Sequence, residues 1–177
     1  MKYVITGGAG HISKPLAEKL LKAGHDVTII GRNPGNLKPL TDQGAKAAIG
    51  SVDDVAFLTE AFRGADAVYT MVPPIFQVDD WKSYIGGIGK NYAEAIKEAG
   101  VKYVVNLSSI GAHMQEGAGP VSGLYRVEQT LNELKDVNIK HLRPGYFYYN
   151  LFGNIDMIRS MNIFGGNAAN AAGSVDF

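Results

Sequence analysis

The opening segment, Lys2-Tyr-Val-Ile-Thr-Gly-Gly-Ala-Gly-His-Ile-Ser13, passes from a β-branched run through glycines into a helix that sets Leu16 and Leu20 on one face. Few architectures accommodate that order. Glycine permits a tight strand-to-helix turn with positive φ, and its missing side chain lets backbone N–H groups approach a phosphate at the positive end of a helix. In the spacing Gly7-x-x-Gly10-x-x-Ser13 a small hydroxyl stands where the usual pattern has its third glycine. Serine there still allows close packing and can itself donate to a phosphate oxygen. A glycine turn is also compatible with no ligand at all, but its place after a strand and before a helix is the context that a pyrophosphate site requires.

Strand and helix signals alternate behind this turn, the pattern of a parallel sheet covered by helices on both faces. Strands are expected at 2–6, 26–31, 45–49, 66–72, 101–107 and 138–142. Gly24 marks the end of the first helix, Asn33-Pro34 reads as an N-cap followed by proline, and Ser51-x-x-Asp54 resembles another helix start. A longer helix runs from about Asp80 to Ala99 and stops at Gly100, with Ile85, Ile88, Tyr92 and Ile96 on one side. Pro120 opens the next, whose buried stripe is Val121, Leu124, Val127, Leu131 and Leu134. The expected fold is α/β, a doubly wound parallel sheet in strand order 3-2-1-4-5-6. The chain of 177 residues has room for one such domain, over 1–160, with 161–177 as a loop-like tail of small and polar residues.

Several function classes fall away. Formal net charge is zero and the basic residues are scattered, so the basic stripe needed for direct nucleic-acid binding is missing. With no cysteine there is no disulfide, no Cys-based zinc site and no thiol nucleophile. The histidines at 11, 25, 113 and 141 lack ligand spacing, and no metal is expected. The chain enters its first strand without a leader and contains no apolar run long enough to cross a bilayer. A soluble, cytoplasmic protein is expected.

In a sheet of this kind ligands sit outside the carboxyl ends of the strands. After the second strand stands Gly31-Arg32-Asn33. An acidic residue there would accept from an adenosine ribose 2′-OH and repel a 2′-phosphate, whereas the planar fork of Arg32 suits the phosphate and favours NADP(H) over NAD(H). A solvated loop arginine is the plainer reading. After the fourth strand, Met71-Val72-Pro73 offers an apolar rim and rigid bend suited to a cofactor's ribose and nicotinamide, or simply a strand end and turn. Ser108 and Ser109 follow the fifth strand where a substrate carbonyl would meet the nicotinamide, though serines also cap turns. Pro144 and Gly145 bend the chain after the sixth, near the carboxamide end.

Taken together, Thr6-Gly-Gly-Ala-Gly-His-Ile-Ser13, Gly31-Arg32, Asn106-Leu-Ser-Ser-Ile-Gly111, Tyr125 and Leu142-Arg-Pro-Gly145 resemble the NmrA-like group of atypical short-chain dehydrogenases/reductases over about residues 1–160. The resemblance implies an NAD(P)-binding Rossmann domain, with Gly7, Gly10, His11, Ile12 and Ser13 around the pyrophosphate and Arg32 at the 2′-phosphate. Relatives include NADPH-dependent quinone and carbonyl reductases and proteins that only sense the nicotinamide redox state. The reductase motif of the superfamily is a Tyr with a Lys four residues later. Here Tyr125 is followed at that spacing by Gln129, which can occupy the lysine's place but not bring its charge.

Without that charge the Tyr125 phenol is equipped as an acid rather than as a base. It can donate a proton to a carbonyl oxygen receiving hydride but is a poor base for alcohol oxidation, so reduction is favoured. Tyr125 as an ordinary helix aromatic and His113 as the proton donor are the alternatives. Two activities follow as expectations: an NADPH-dependent reductase of a quinone or other small carbonyl compound, or a non-catalytic NADP(H) sensor that regulates a protein partner. The apolar run from Tyr146 to Phe164, if uncovered, is expected to drive homo-oligomer formation.

Overall fold

The computed structural model describes residues 1–74 and 78–162. The expected tail lies, beyond Asn162, outside the described residues, as do Ile163 and Phe164 of the apolar run. In chain order the elements are β1 (Lys2–Ile5), α1 (Ser13–Lys22), β2 (Asp26–Gly31), α2 (Pro34–Thr41), β3 (Lys46–Ile49), α3 (Val55–Phe62), β4 (Ala67–Met71), α4 (Trp81–Ala99), β5 (Tyr103–Leu107), α5 (Val121–Asn132) and β6 (Asn138–Leu142). The six strands form one parallel sheet in the order β3-β2-β1-β4-β5-β6, the Rossmann arrangement expected from the alternation.

Local chemistry explains the helix boundaries. The Asn33 side chain accepts from the Gly35 N–H at 2.8 Å, and Pro34 occupies the first helical position of α2. Asp54 rather than Ser51 caps α3, accepting from the Phe57 N–H at 2.9 Å, while the Ser51 hydroxyl donates to Asp53. Asp80 caps α4 by accepting from the Ser83 N–H at 2.9 Å, and Gly100, at φ +69°, closes that helix in the left-handed conformation.

Both faces of the sheet are buried, as parallel strands require. On one face Val4, Ile30, Val68 and Val104 pack with Leu58 and Phe62 of α3, Ile88, Tyr92 and Ile96 of α4, and Val127 and Leu131 of α5. On the other, Ile5, Val27, Ile29 and Tyr69 pack with Ala17 of α1 and Leu37 and Leu40 of α2. Helices α4 and α5 lie close because their contact is made by glycine. A Cβ at Gly89 would stand 2.9 Å from Val127 Cα, and one at Gly123 would stand 2.8 Å from Ile85 Cβ.

The chain divides into two compact units between Arg143 and Pro144. In the second, a 3₁₀ segment (Tyr148–Asn154) and α6 (Ile155–Met161) have no buried residue. Tyr149 and Phe152 meet edge to face at 5.5 Å, yet Tyr148 is 82% and Phe152 63% exposed.

One buried group in the first unit is imperfectly accommodated. The Tyr69 hydroxyl has no hydrogen-bond partner among the described residues, and burial pushes its phenol up to about 12. Leaving such a group unsatisfied costs about 1–3 kcal/mol. Tyr69→Phe is therefore expected to raise the stability of the fold by about 1 kcal/mol. A urea midpoint that stays the same or falls would show that the hydroxyl is satisfied in solution.

Candidate functional site

The glycine turn is held by its own backbone and by two neighbouring strands. Gly7 and Gly8 take φ values of +91° and +55°, which only glycine adopts readily. The Gly8 N–H donates to the Ile30 carbonyl at 2.8 Å, tying the turn to the end of β2. A Cβ at Gly31 would come within 3.3 Å of Gly8 Cα, and a Cβ at Gly7 would stand 2.6 Å from Ser13 Oγ and 2.9 Å from the Met71 side chain. The turn thus packs on the backbone of β2 and on side chains from β4 and α1.

Thr6 and Tyr92 complete this support. Thr6 Oγ1 accepts from the Met71 N–H at 2.9 Å, and Tyr92 donates to the Met71 carbonyl at 2.6 Å, which joins the carboxyl ends of β1 and β4. Ser13 is buried and its hydroxyl donates to the Thr6 carbonyl at 2.8 Å. That proton braces the turn.

Above this base α1 begins at Ser13, after an N-cap, Ile12, that supplies no side-chain bond, and its first turn has no acidic residue. No carboxylate of that turn offsets the terminal dipole. Gly10 and His11 are exposed beside it and Ile12 is half-buried. A cradle that a Cβ would fill, opening onto an uncapped helix, suits a pyrophosphate.

Arg32 is exposed immediately after β2. Burial and the Asp53 carboxylate raise the Tyr84 phenol, while the Arg32 guanidinium acts on it in the opposite sense. Asp53, Tyr84 and Arg32 therefore gather around the carboxyl ends of β2 and β3, and the first two are additions that local sequence patterns did not indicate. Asn91 of α4 donates to the Val52 carbonyl at 3.1 Å and so holds the loop that carries Asp53.

Met71, Val72 and Pro73 are half-buried at and after the end of β4. Between the start of α4 and the loop before α5 lies an open cleft of about 400 Å³ lined by Asp79, Asp80, Trp81, Lys82, Gly119 and Pro120. Lys82 and Glu116 form an ion pair at its rim, and Arg126 reaches the Ser83 hydroxyl at 3.4 Å. The approach to the ends of β4 and β5 is thus flanked by charges of both signs.

Past the end of β5 the two serines differ. Ser109 is half-buried, whereas Ser108 is buried and its hydroxyl donates to Glu128 Oε1 at 2.5 Å. Glu128, only 1% exposed, also accepts from Arg143 through Nε at 2.9 Å and through Nη2. Burial works to raise this carboxyl, but the Arg143 and Ser108 hydrogen bonds outweigh it and hold it below its ordinary value. On the same helix Tyr125 is half-buried, and Gln129, four residues on, is exposed. His113 is exposed in the preceding loop. Pro144 and Gly145 open the second unit. Among the described residues no cluster of His, Asp and Glu is placed to hold a metal, and no helix is long and apolar enough to cross a membrane.

A second polar chain lies beside Glu128. Thr70 Oγ1 donates to Asn106 Oδ1 at 3.0 Å, which turns the Asn106 amide nitrogen toward His141 Nδ1 at 3.1 Å. His141 Nδ1 then accepts, and Nε2 carries the proton that faces Asn132 Oδ1 at 3.1 Å. Burial, aided by Arg143 and opposed by Glu128, lowers the imidazole below its ordinary 6.5. A histidine lowered in the fold is neutral there and binds its proton more readily when unfolded. Its contribution is complete above about pH 6.5 and is lost as pH falls. Glu128, also lowered, adds its own loss below its ordinary 4.5. Melting temperature should accordingly fall between pH 7 and pH 5, and His141→Gln should flatten that slope. An equal slope in the variant would assign the titration elsewhere.

Comparison with known proteins agrees with this arrangement. A family model described as NAD(P)H-binding matches residues 7–144. A Mycobacterium tuberculosis protein provisionally named an oxidoreductase is 25% identical over 128 residues, covering 69% of this chain and 57% of its own. The NADP(H) complex of Citrobacter sp. triphenylmethane reductase superimposes with a TM-score of 0.75 at 18% identity, over 90% of this chain and 55% of that one. An NADPH complex of the NADPH-dependent quinone oxidoreductase of Escherichia coli gives 0.74 at 22% identity, over 88% and 53%. The chain thus spans a little over half the length of these relatives. Since the family model covers well over half of it, the chain belongs to the NAD(P)H-binding family of Rossmann-fold proteins.

Proposed function

We propose that this protein is a cytoplasmic, NADPH-dependent reductase of a quinone or other small carbonyl compound. The observation that carries the reading is the pairing of the glycine cradle with Arg32 on the adjoining strand end, a permanently charged fork one residue beyond the Gly8–Gly31 contact. Gly7, Gly10, His11 and Ile12 would line the pyrophosphate, Arg32 the 2′-phosphate, and Met71, Val72 and Pro73 the nicotinamide ribose. A bound NADPH supplies hydride. Tyr125 supplies the proton to the substrate oxygen, with Ser109 hydrogen-bonding that oxygen and Gln129 beside the ribose. Quinones suit this equipment, because they accept hydride readily and ask little of the acid. The cleft between the start of α4 and the loop before α5 offers the approach, with the Trp81 ring at hand for a flat substrate.

Titration calorimetry at fixed salt provides the test. Wild-type protein should bind NADPH in preference to NADH, and Arg32→Ala should weaken NADPH about tenfold while leaving NADH within about twofold, the effect of one charge-assisted phosphate contact. Equal losses for the two cofactors would remove Arg32 from the 2′-phosphate. With 1,4-benzoquinone as acceptor, Tyr125→Phe should lower kcat about tenfold, less than the roughly hundredfold typical of a general acid because the acceptor is so reactive. An unchanged kcat would take Tyr125 out of the chemistry. Tight NADPH binding without turnover of any acceptor would leave the redox-sensor reading.

Self-association is proposed through the exposed apolar residues of the second unit, Tyr148, Phe152 and Met161 among them. A monomeric mass in light scattering at high micromolar concentration would overturn it.

A further inference from the structure

A carboxylate that is 1% exposed is expensive to bury, and an apolar side chain of similar volume fills such a place at no electrostatic cost. Glu128 is retained on the buried side of α5 together with three donors that leave neither oxygen bare. Ser108 and Arg143 Nε donate to Oε1, and Arg143 Nη2 donates to Oε2. The donors come from two other elements. Ser108 follows β5, and Arg143 follows β6. The Ser108 N–H also donates to the Leu142 carbonyl at 2.7 Å, so this serine is gripped through backbone and side chain. One carboxylate therefore joins the carboxyl ends of two neighbouring strands to the helix that carries Tyr125, three residues before it.

We infer that Glu128 is a positioning residue, and that Ser108 acts through Glu128 rather than on the substrate. The hydroxyl of Ser108 has a single proton, and it is committed to the carboxylate. What remains to face a ligand after β5 is Ser109, whose carbonyl accepts from the Ala112 N–H at 3.1 Å at the head of the next turn. The bidentate fork of Arg143 fixes the carboxylate in two directions, the Ser108 bond fixes the start of the loop relative to it, and α5 is thereby held in height over the end of β5. The phenol of Tyr125 and the hydroxyl of Ser109 are the two groups whose separation this arrangement sets. The inference rests on the reductase reading for the roles of Tyr125 and Ser109, but the linkage itself does not.

The test is a double-mutant cycle of Ser108→Ala and Glu128→Gln, read by three measurements: NADPH affinity by calorimetry, the fluorescence of bound NADPH, and kcat and KM with 1,4-benzoquinone. Ser108→Ala removes one hydrogen bond and leaves Glu128 paired with Arg143. Should Glu128→Gln fail to fold, Arg143→Lys takes its place, since it keeps the charge and loses the fork. Expected are NADPH affinities within about twofold of wild type in every variant, because the pyrophosphate and 2′-phosphate lie elsewhere, and kcat lowered about tenfold by misalignment in Glu128→Gln. Ser108→Ala should lower kcat in the wild-type background and add nothing once Glu128 is changed. Bound-NADPH fluorescence should shift in the same non-additive way.

Multiplicative effects of the two substitutions on kcat would make Ser108 an independent participant and overturn the inference. So would variants that alter thermal stability but neither kcat nor fluorescence, for then the cluster only supports the fold. If the wild type binds NADPH but reduces nothing, the reductase reading fails, and the fluorescence cycle still decides the linkage.

Discussion

The close approach of the glycine turn to the ends of β2 and β4 is the contact from which the carboxyl end of the sheet is built. Gly8 lies against Gly31, and Gly7 against Met71 and Ser13, with distances too short for a side chain to intervene. Since the turn rests on β2 and β4 at once, α1 leaves the sheet in one direction only. Its uncapped end then faces the space above the strand ends. Thr6 and Tyr92 secure the same junction from below with hydroxyl groups, one from the end of β1 and one from α4. Packing supplies the shape here, and electrostatics enters only through the helix end and Arg32.

The other half of the sheet end is stabilised by different means. Around β5 and β6 the buried Glu128, Ser108, Asn106 and Thr70 and the half-buried His141 are each satisfied by a neighbour, two of which, Arg143 and Asn132, reach in from the surface. Such a cluster is favourable only while every member keeps its partner, because an unpaired polar group in a low-dielectric interior costs more than the bond contributed. The glycine-turn end therefore depends on missing volume, and the β5–β6 end on complete pairing. The first tolerates no added atom, and the second no missing one.

Much of this was legible in the sequence, for reasons that differ from residue to residue. Alternating strand and helix signals gave all six strands to within a residue or two, since buried parallel strands are short β-branched runs and their helices carry caps such as Asn33, Asp80 and Gly100. The glycine turn was legible because the conformation it needs excludes other residues. Glu128 was not. It lies seven residues after Val121 and three before Leu131, squarely on the apolar stripe of α5, and that misplaced charge was the available signal. Its partner, Arg143, is fifteen positions away and on another element, beyond the reach of any local periodicity. The hydroxyl of Tyr92 was missed likewise: the side chain reads as an apolar helix residue, and its contact with Thr6 spans 86 positions.

The glycine contact between α4 and α5 couples the placement of these two helices. With Val127 Cα where a side chain of residue 89 would begin, any residue larger than glycine at that position must displace α5 bodily, and Tyr125 and Glu128 ride on α5. A change deep in the helix interface would thus move residues 125 and 128 without touching either of them. The spacing of α4 and α5 is in that sense a dial on where both side chains stand.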